Sequence, residues 1–235
     1  MQLSKNEEKA YVLLRKNKLQ VFKTKDVSLL LNINKTKTYN LIKALKNKKV
    51  IEAFSSGIYS FKDIDDFVVG AYLNWPSYVS FLSALNYYGF SDNWPKKITY
   101  VSTKYKKHER FEYVCLSNKR FFGYRKEGNI ILAEKEKAFV DSLLFPKYSG
   151  GIKEISRLLN ENFDILDIDR LIDYSFKIES KMVLRRLGFI LEAKLNKQQI
   201  KLLLGKIGRG VGFLDPALRT RKNLNNKWLL YTNLE

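Results

Sequence analysis

The sequence predicts an α+β fold in which an N-terminal winged helix-turn-helix is followed by a mixed α/β region and a mainly helical C-terminal part. Three observations support this prediction. The first 61 residues carry, in order, the signals of a helix, a short helix, a turn, a lysine-lined helix and a hairpin. Two helix-prone segments and then several β-prone runs follow up to about residue 132, and helical spacing of apolar residues dominates after it. We therefore expect three domains, residues 1–62, 63–148 and 149–235.

The composition indicates a globular protein with a polyanionic partner. Of the 235 residues, 45% are hydrophobic and 14% aromatic, which excludes a disordered chain. The formal net charge of +19 favours a nucleic acid or an acidic membrane surface as partner, although a lysine-rich solvated surface would give the same sum. Residues 1–60 hold 13 basic and 4 acidic side chains, so the excess is densest in the N-terminal module.

Several protein classes are excluded or disfavoured by simple counts. Cys115 is the only cysteine, so an internal disulfide and a cysteine-based zinc site are impossible. The first eight residues lack the apolar core of a signal peptide. The longest apolar run, residues 67–73, is too short to cross a bilayer. We therefore expect a cytoplasmic protein.

The first two helices are predicted from their capping residues. Ser4 followed by Glu7 has capping-box spacing, and it opens a helix that extends to about Lys16. Thr24 is expected to cap a second helix that carries apolar residues at 27, 30 and 31. Residues 32–34 form the turn, with Asn34 as the cap of the next helix.

The third helix is predicted between residues 35 and 48, with one apolar and one polar face. The inner face is expected to consist of Tyr39, Ile42 and Leu45. The opposite face presents Thr36, Lys37, Asn40, Lys43 and Asn47. A DNA recognition helix needs one face that packs on the core and another face that offers hydrogen-bond donors to DNA. A solvated amphipathic helix has the same pattern.

The polar face of this helix predicts the DNA-contacting residues. Asn40 can pair bidentately with adenine, and Lys37 or Lys43 can reach guanine or phosphate. The expected DNA-binding set is Lys35, Thr36, Lys37, Asn40, Lys43, Lys46, Lys48 and Lys49. Among these, the lysines at 35, 46, 48 and 49 are expected to hold phosphates.

A hairpin follows this helix. Residues 50–54 and 58–61 are β-prone, and Ser55-Ser56-Gly57 between them suits a short turn. At this position a hairpin would be the wing of the module. Its tip is uncharged, so Lys48, Lys49 and Lys62 beside it are expected to contact phosphates.

The rest of the chain is predicted to alternate between helices and strands. The predicted helices are 65–74, 76–88 with Gly89 as its stop, 133–144, 152–159, 169–176, 180–195 and 198–204. The predicted strands are 98–101, 111–116, 120–124, 129–132 and 228–231. Basic residues in the loops form either a second phosphate-contacting surface or a solvated one: Lys104, Lys106, Lys107, Arg110, Lys119, Arg120 and Arg125.

Four segments of the chain resemble motifs of AbiEi-type antitoxins. Residues 76–90 (PSYVSFLSALNYYGF) resemble a P-x-Y-V-S…S-A-L…hydrophobic-G-L stretch of that family, and residues 133–141 (AEKEKAFVD) resemble its A-x-x-E-K-A-hydrophobic-x-D helix. Residues 186–192 (RLGFILE) are similar to its R-L-G-Y-L-L-E segment. LDP at 214–216 and NKW at 226–228 resemble its C-terminal end. With the N-terminal module, the resemblance covers nearly the whole chain in the right order.

The resemblance implies a DNA-binding autorepressor and antitoxin of a type IV toxin–antitoxin operon. Such proteins recognise inverted-repeat operators upstream of their own genes, here as a monomer or a dimer on double-stranded DNA. The mainly helical C-terminal part, residues 149–235, would then be the antitoxin-like domain, and it would oppose a nucleotidyltransferase-like toxin without the need for a stable complex. We assign no antitoxin residues, because the shared motifs consist mostly of apolar and glycine positions that suit core packing and turns.

Enzymatic signals are weak, and we expect no enzyme, catalytic residue, cofactor or metal. Glu179-Ser180-Lys181, with Asp169 or Asp173 upstream, mimics the metal-binding pattern of some nucleases, but it falls in a helical context. The glycine-rich segment 205–212 lacks the Gly-Lys-Ser/Thr of a P-loop. The single histidine, His108, is expected to be exposed, and the alternating acids and lysines at 134–137 suggest a solvated helix start.

The alternatives to an antitoxin are a nuclease or nucleotidyl-transferring enzyme targeted by the winged helix, an orphan regulator without a toxin, and a protein-interaction module.

Overall fold

A computed structural model describes residues 2–218 and 220–232 of the chain. Helices and strands are mixed along its length, which confirms the predicted α+β class. Contacts between Cα atoms divide it into two compact units, residues 1–73 and 74–235. The three-domain division stays a prediction. No helix in the described ranges combines the length and the hydropathy needed to cross a bilayer.

The first unit contains four helices and three strands among its described residues. They are α1 (Lys5–Lys16), β1 (Val21–Lys23), α2 (Thr24–Leu31), α3 (Lys35–Asn47), β2 (Ile51–Ser55), β3 (Ile58–Phe61) and α4 (Asp66–Leu73). The strands form an antiparallel sheet in the order β1-β3-β2. Gly57, with a φ of 72°, makes the tight turn between β2 and β3.

Two of the predicted helix caps are confirmed and one is wrong. The Ser4–Glu7 capping box is present, and the Asn34 side chain accepts a hydrogen bond from the Lys37 backbone at 2.9 Å. Thr24 is not a cap but the first residue of α2, and its backbone N–H donates to the Gly57 carbonyl at 3.1 Å. This shift arises because β1 pairs with β3 up to Lys23, so the chain enters α2 directly from the sheet.

The core of the first unit gathers one face of α1, α2 and α3 over the sheet. Its buried members are Ala10, Leu14, Phe22, Val27, Ile42, Leu45, Ile51 and Phe61. Arg15 lies over the Phe61 ring, 4.0 Å from its centroid, and pairs with Asp63. The segment after β3 is thereby tied to α1.

The inner face of α3 is rotated from the predicted one. Thr38 is fully buried, whereas the side chain of Tyr39 is 63% exposed, so the placement of Tyr39 in the core was wrong. The buried stripe runs through Thr38, Ile42 and Leu45, which has the i, i+4, i+7 spacing of a helix face. The hydroxyl of Thr38 donates to the Asn34 carbonyl at 2.9 Å, and this bond makes its burial possible.

The second unit combines a five-stranded sheet with helices. The sheet strands are β4 (Ser77–Val79), β5 (Ile98–Ser102), β6 (Phe111–Cys115), β7 (Tyr124–Glu127) and β8 (Ile130–Ala133), in the order β6-β5-β4-β8-β7. The helices are α5 (Phe81–Tyr87), α6 (Lys135–Leu144), α7 (Ile152–Glu161), α8 (Ile168–Lys177), α9 (Lys181–Leu191) and α10 (Lys197–Leu204). The short strands β9 (Gly212–Phe213), β10 (Leu224–Asn225) and β11 (Leu230–Tyr231) form a further sheet.

Most of the predicted elements of this unit are confirmed to within a few residues, but three differ. The predicted helix from Pro76 begins only at Phe81, because residues 77–79 form the central strand β4. The predicted strand 120–124 is a 3₁₀ turn, and β7 starts at Tyr124, after Gly123 with a φ of 67°. At the C-terminal end Trp228 lies in a turn, and the strand there is only two residues long.

Candidate nucleic-acid interface

The outer face of α3 carries most of the predicted DNA-binding side chains. The buried stripe of α3 holds one side of the helix against the core, and this orientation fixes the opposite side as the outer surface. The predicted residues on that surface are exposed: Lys35, Thr36, Lys37, Asn40, Lys43 and Lys46, with Lys49 just beyond the helix end. The structure therefore leaves seven of the eight predicted residues exposed, on the outer face of α3, on its flanks and just beyond its end.

The lysines of this surface are not neutralised by acids. Within the described part of the chain, the ammonium groups at positions 35, 37, 43, 46 and 49 have no ion-pair or hydrogen-bond partner. The amide of Asn40 has no hydrogen-bond partner in those residues either. Uncompensated positive charge on one helix face creates a field that attracts a polyanion.

Lys48 differs from the other predicted residues. Its ammonium lies 2.6 Å from a carboxylate oxygen of Glu7 and 3.0 Å from the Gln2 carbonyl, and its side chain is half-buried. The Lys48 ammonium and the backbone N–H of Ser4 hold the pKa of Glu7 below its usual range. Lys48 therefore joins the end of α3 to the start of α1, and its role as a phosphate contact stays a prediction.

Two grooves flank the outer face of α3. The α1-side groove, of about 550 Å³, is lined by Asn6 and Lys9 of α1 and by Lys37 and Asn40 of α3, among others. The β3-side groove, of about 250 Å³, is lined by Tyr39, Ile42, Lys43, Lys46, Asn47 and Tyr59. The exposed side of α3 is thus a ridge with a groove along each flank.

Tyr39 is a surface residue that the sequence reasoning missed. Its ring was expected in the core because aromatic residues at i, i+3 positions with Ile42 suggest a buried face. The sequence did contain a signal for its exposure, namely the spacing of Thr38, Ile42 and Leu45. When these three residues form the buried stripe, position 39 lies about 100° around the helix from Thr38 and therefore outside the stripe.

The basic loop residues of the second unit have varied roles. Arg120 donates to the Ile178 carbonyl at 2.9 Å and to the Glu179 carbonyl at 3.2 Å, and Arg125 pairs with Glu127 at 2.9 Å. Arg120 therefore links two distant segments of the unit, whereas Arg125 makes a local ion pair at the surface. His108 is half-buried and stacks on Phe111 with ring centroids 5.0 Å apart, so the prediction that it is exposed was wrong.

The residues of the nuclease-like pattern do not form a metal site. Glu179 lies in the turn between α8 and α9 with a φ of 52°, and Asp169 accepts a hydrogen bond from Gln199 at 3.0 Å. Across residues 2–218 and 220–232 there is no group of three or more His, Cys, Asp and Glu side chains able to hold a metal ion.

Two of the segments that resemble antitoxin motifs meet in the core of the second unit. Lys137 and Asp141, both fully buried, form an ion pair on α6. The Asp141 carboxylate accepts from Ser80 at 2.7 Å and from Tyr78 at 3.2 Å, and Lys137 donates to the Tyr78 oxygen at 3.0 Å. Burial lowers the pKa of Lys137 and raises that of Tyr78.

The start of α6 is also buried, so the predicted solvated helix start was wrong. Glu136 is 4% exposed and accepts a hydrogen bond from the Asp167 backbone at 3.0 Å, and Glu134 accepts from the Tyr174 hydroxyl. The alternation of acids and lysines at 134–137 therefore does not indicate a solvated helix start. Successive residues there contact different parts of the unit.

The other two motif segments also meet. Arg186 donates to the carbonyls of Leu143 at 2.7 Å and Leu214 at 2.9 Å. The indole N–H of Trp228 donates to Glu192 at 2.7 Å. All four motif segments thus contribute buried polar contacts to one unit, in addition to the apolar packing expected of them.

No family model and no curated protein matches the chain. Among solved structures, it is similar to the crystal structure of the RV2827C protein from Mycobacterium tuberculosis, with a TM-score of 0.71 and 12% sequence identity over 97% of this chain and 92% of that chain. At this identity the likeness shows a shared fold.

Proposed function

We propose that this chain is a cytoplasmic DNA-binding autorepressor and antitoxin of a type IV, AbiE-like toxin–antitoxin system. In this proposal the first unit is a winged helix-turn-helix that reads operator DNA through α3, and the second unit carries the antitoxin function. The exposed and uncompensated polar face of α3 is the observation that carries the proposal.

The arrangement of the first unit supports the winged-helix assignment. Its elements follow the order helix, strand, helix, helix and two-stranded hairpin, and β1 adds to the hairpin to give the sheet order β1-β3-β2. α2 and α3 are joined by three residues, the length typical of a helix-turn-helix. The β2–β3 hairpin is then the wing.

The exposed side chains divide by the type of DNA contact they can make. Asn40 has a free amide that can pair bidentately with adenine, and Lys37 and Lys43 lie beside it on the exposed side of α3. Lys35, Lys46 and Lys49, with Thr36, lie at the helix ends and flanks, where the phosphate backbone would run. Without an arginine on α3, readout of guanine rests on lysine.

The antitoxin part of the proposal is supported by the four motif segments in the second unit. They lie in the order found in AbiEi-type antitoxins, and pairs of them share buried contacts. The functional partner proposed is a nucleotidyltransferase-like toxin, opposed without the need for a stable complex.

The DNA-binding claim is tested with the duplex immediately upstream of this gene. Fluorescence anisotropy should show tighter binding to this duplex than to a shuffled one, with affinity falling steeply as salt increases. Equal binding to both duplexes would contradict operator recognition. No salt-dependent binding to either would favour a protein-interaction module.

The antitoxin claim is tested by growth. If a nucleotidyltransferase-like reading frame adjoins the gene, its induction should arrest growth, and co-expression of this chain should restore it. A variant of the full chain with its α3 lysines replaced by glutamine separates antitoxin activity from DNA binding. It should still protect the cells, because the proposal assigns antitoxin activity to the second unit, residues 74–235. If the full wild-type chain gives no protection, the protein is a regulator without antitoxin activity.

A further inference from the structure

We infer that the β3-side groove is the seat of a backbone phosphodiester of duplex DNA, held by the Lys46 ammonium and the Tyr39 hydroxyl. This inference rests on the proposed DNA-binding function and adds a specific contact to it. Neither Tyr39 nor the groove was part of the set predicted from the sequence.

The dimensions of helix and duplex place a DNA strand at this groove. An α-helix with its side chains is about 10–12 Å wide, and the major groove of B-DNA is about 12 Å wide. A helix inserted there therefore has a phosphate backbone along each flank. The ridge formed by α3 has a groove on each flank, so a duplex that receives the ridge brings one strand toward each groove.

The β3-side groove has the chemistry that a phosphodiester requires. Lys43 and Lys46 line it, and no acidic side chain does. Asn47 and the two tyrosines, Tyr39 and Tyr59, add neutral hydrogen-bond donors. A single negatively charged group with several acceptor oxygens satisfies cations and neutral donors together.

Tyr39 is free to serve the groove. It is 63% exposed, and its hydroxyl has no hydrogen-bond partner among the described residues. The opposite wall is more rigid, because Tyr59 is half-buried and its ring lies 6.2 Å from that of Phe22 in the core.

The α1-side groove is less suited to the same ligand. Its lining includes the acidic residue Glu7, the carboxylate of which is paired with Lys48. A carboxylate repels a phosphate, although its pairing with Lys48 reduces the effect. The two flanks of α3 therefore differ, and the β3-side groove is the better phosphate seat.

Two substitutions separate the charge and the hydroxyl in this groove. Both are made in the full chain and titrated with a mixed-sequence 24-base-pair DNA duplex at several salt concentrations, since a phosphate contact is independent of sequence. Lys46→Gln should reduce the slope of log affinity against log salt by about one. Tyr39→Phe keeps the ring but removes the donor, and it should weaken binding about two- to tenfold with the slope unchanged.

Lys16→Gln is the matched control. Lys16 is an exposed lysine in the last turn of α1 and lines neither groove flanking α3, so this variant removes the same charge while leaving the β3-side groove intact. Its slope should stay close to that of the wild type. Because Tyr39, Lys46 and Lys16 are all exposed, the three variants should keep the wild-type circular dichroism spectrum and melting temperature.

The outcomes distinguish this inference from the proposed function. If the wild type binds the duplex but Tyr39→Phe binds equally well, the phosphate does not sit in this groove, even if Lys46→Gln lowers the slope. If Lys46→Gln and Lys16→Gln lower the slope equally, the effect is general charge and the groove assignment fails. If the wild type binds no duplex, the proposed function itself fails.

Discussion

The Cα of Gly188 lies directly against the indole ring of Trp228. A Cβ added at position 188 would come within 2.1 Å of ring atom Cζ3. Gly188 is in the middle of α9, where glycine is normally unfavourable, so the contact with Trp228 explains its presence. The ring cannot move aside easily, because it is fully buried and its N–H is bonded to Glu192.

Gly188→Ala should therefore destabilise the second unit by about 3 kcal/mol, near the upper end for overpacking of a core. The loss would appear as a lower midpoint in urea denaturation followed by circular dichroism.

Gly205→Ala is the matched control, since a Cβ there meets only the carbonyls of Lys201 and Leu202 at 3.5 and 3.6 Å. Gly205 has an ordinary helical φ of −63°, so this variant should be neutral or gain up to about 1 kcal/mol. Equal midpoints for the two variants would contradict the clash.

The buried pair of Lys137 and Asp141 predicts strongly non-additive substitutions. Lys137→Met leaves the Asp141 carboxylate fully buried without its cation, and loss of one partner of such a pair costs about 3–5 kcal/mol. Lys137→Met combined with Asp141→Leu removes both charges and should recover a large part of this loss. A double-mutant cycle from urea denaturation measures the coupling. A double variant as unstable as the sum of the two single ones would show that the pair does not act as a unit.

Local signals gave correct predictions where the local chain decides the structure. The Ser4–Glu7 capping box and the Asn34 cap were readable because their partners are three residues away. Gly89 ends α5 for a similar reason, with a φ of 74° just after the helix. These features need no knowledge of the rest of the fold.

Predictions failed where distant residues decide the structure. Tyr78 has helical spacing with the apolar residues after it, yet its segment is a strand because β5 and β8 pair with it on both sides. Lys137 looks solvent-exposed in the sequence, and only the acceptors brought by β4 and α6 make its burial possible. In the candidate interface, the exposure of Thr36, Lys37, Asn40 and Lys43 was readable from helix spacing, but the ion pair of Lys48 depends on Glu7, 41 residues away.

The Glu7–Lys48 ion pair predicts a pH-dependent contribution to stability. Because the pKa of Glu7 is lowered in the folded state, the folded form favours the ionised carboxylate more than the unfolded chain does. This contribution is fully present above the pKa of glutamate in the unfolded chain, about 4.3. It is lost as the pH falls through the lower pKa that Glu7 has in the folded protein. Glu7→Gln should thus lower the urea midpoint at about pH 7 and converge with the wild type in strong acid.

Glu8→Gln is the control for this experiment. Glu8 is in the same first turn of α1 and is exposed, so its substitution removes the same charge without breaking the pair with Lys48. It should lower the midpoint much less than Glu7→Gln at about pH 7. A constant difference between Glu7→Gln and the wild type across the acid range would show that the effect comes from packing and not from ionisation.

Asn40→Ala provides the sharpest test of the proposal that α3 reads DNA. An amide that pairs bidentately with one adenine contributes about 1–3 kcal/mol of discrimination at that base pair and nothing to binding elsewhere. Asn40→Ala should therefore weaken binding to the upstream duplex by this amount and relax the preference at one position, as measured by anisotropy with single-base-pair variants. Lys35→Ala should instead weaken binding to all sequences alike and reduce the salt slope by about one, because the proposal places this exposed ammonium at a phosphate. If Asn40→Ala leaves the affinity for the upstream duplex unchanged while Lys35→Ala lowers it, α3 lies along the backbone and its polar face does not enter the major groove.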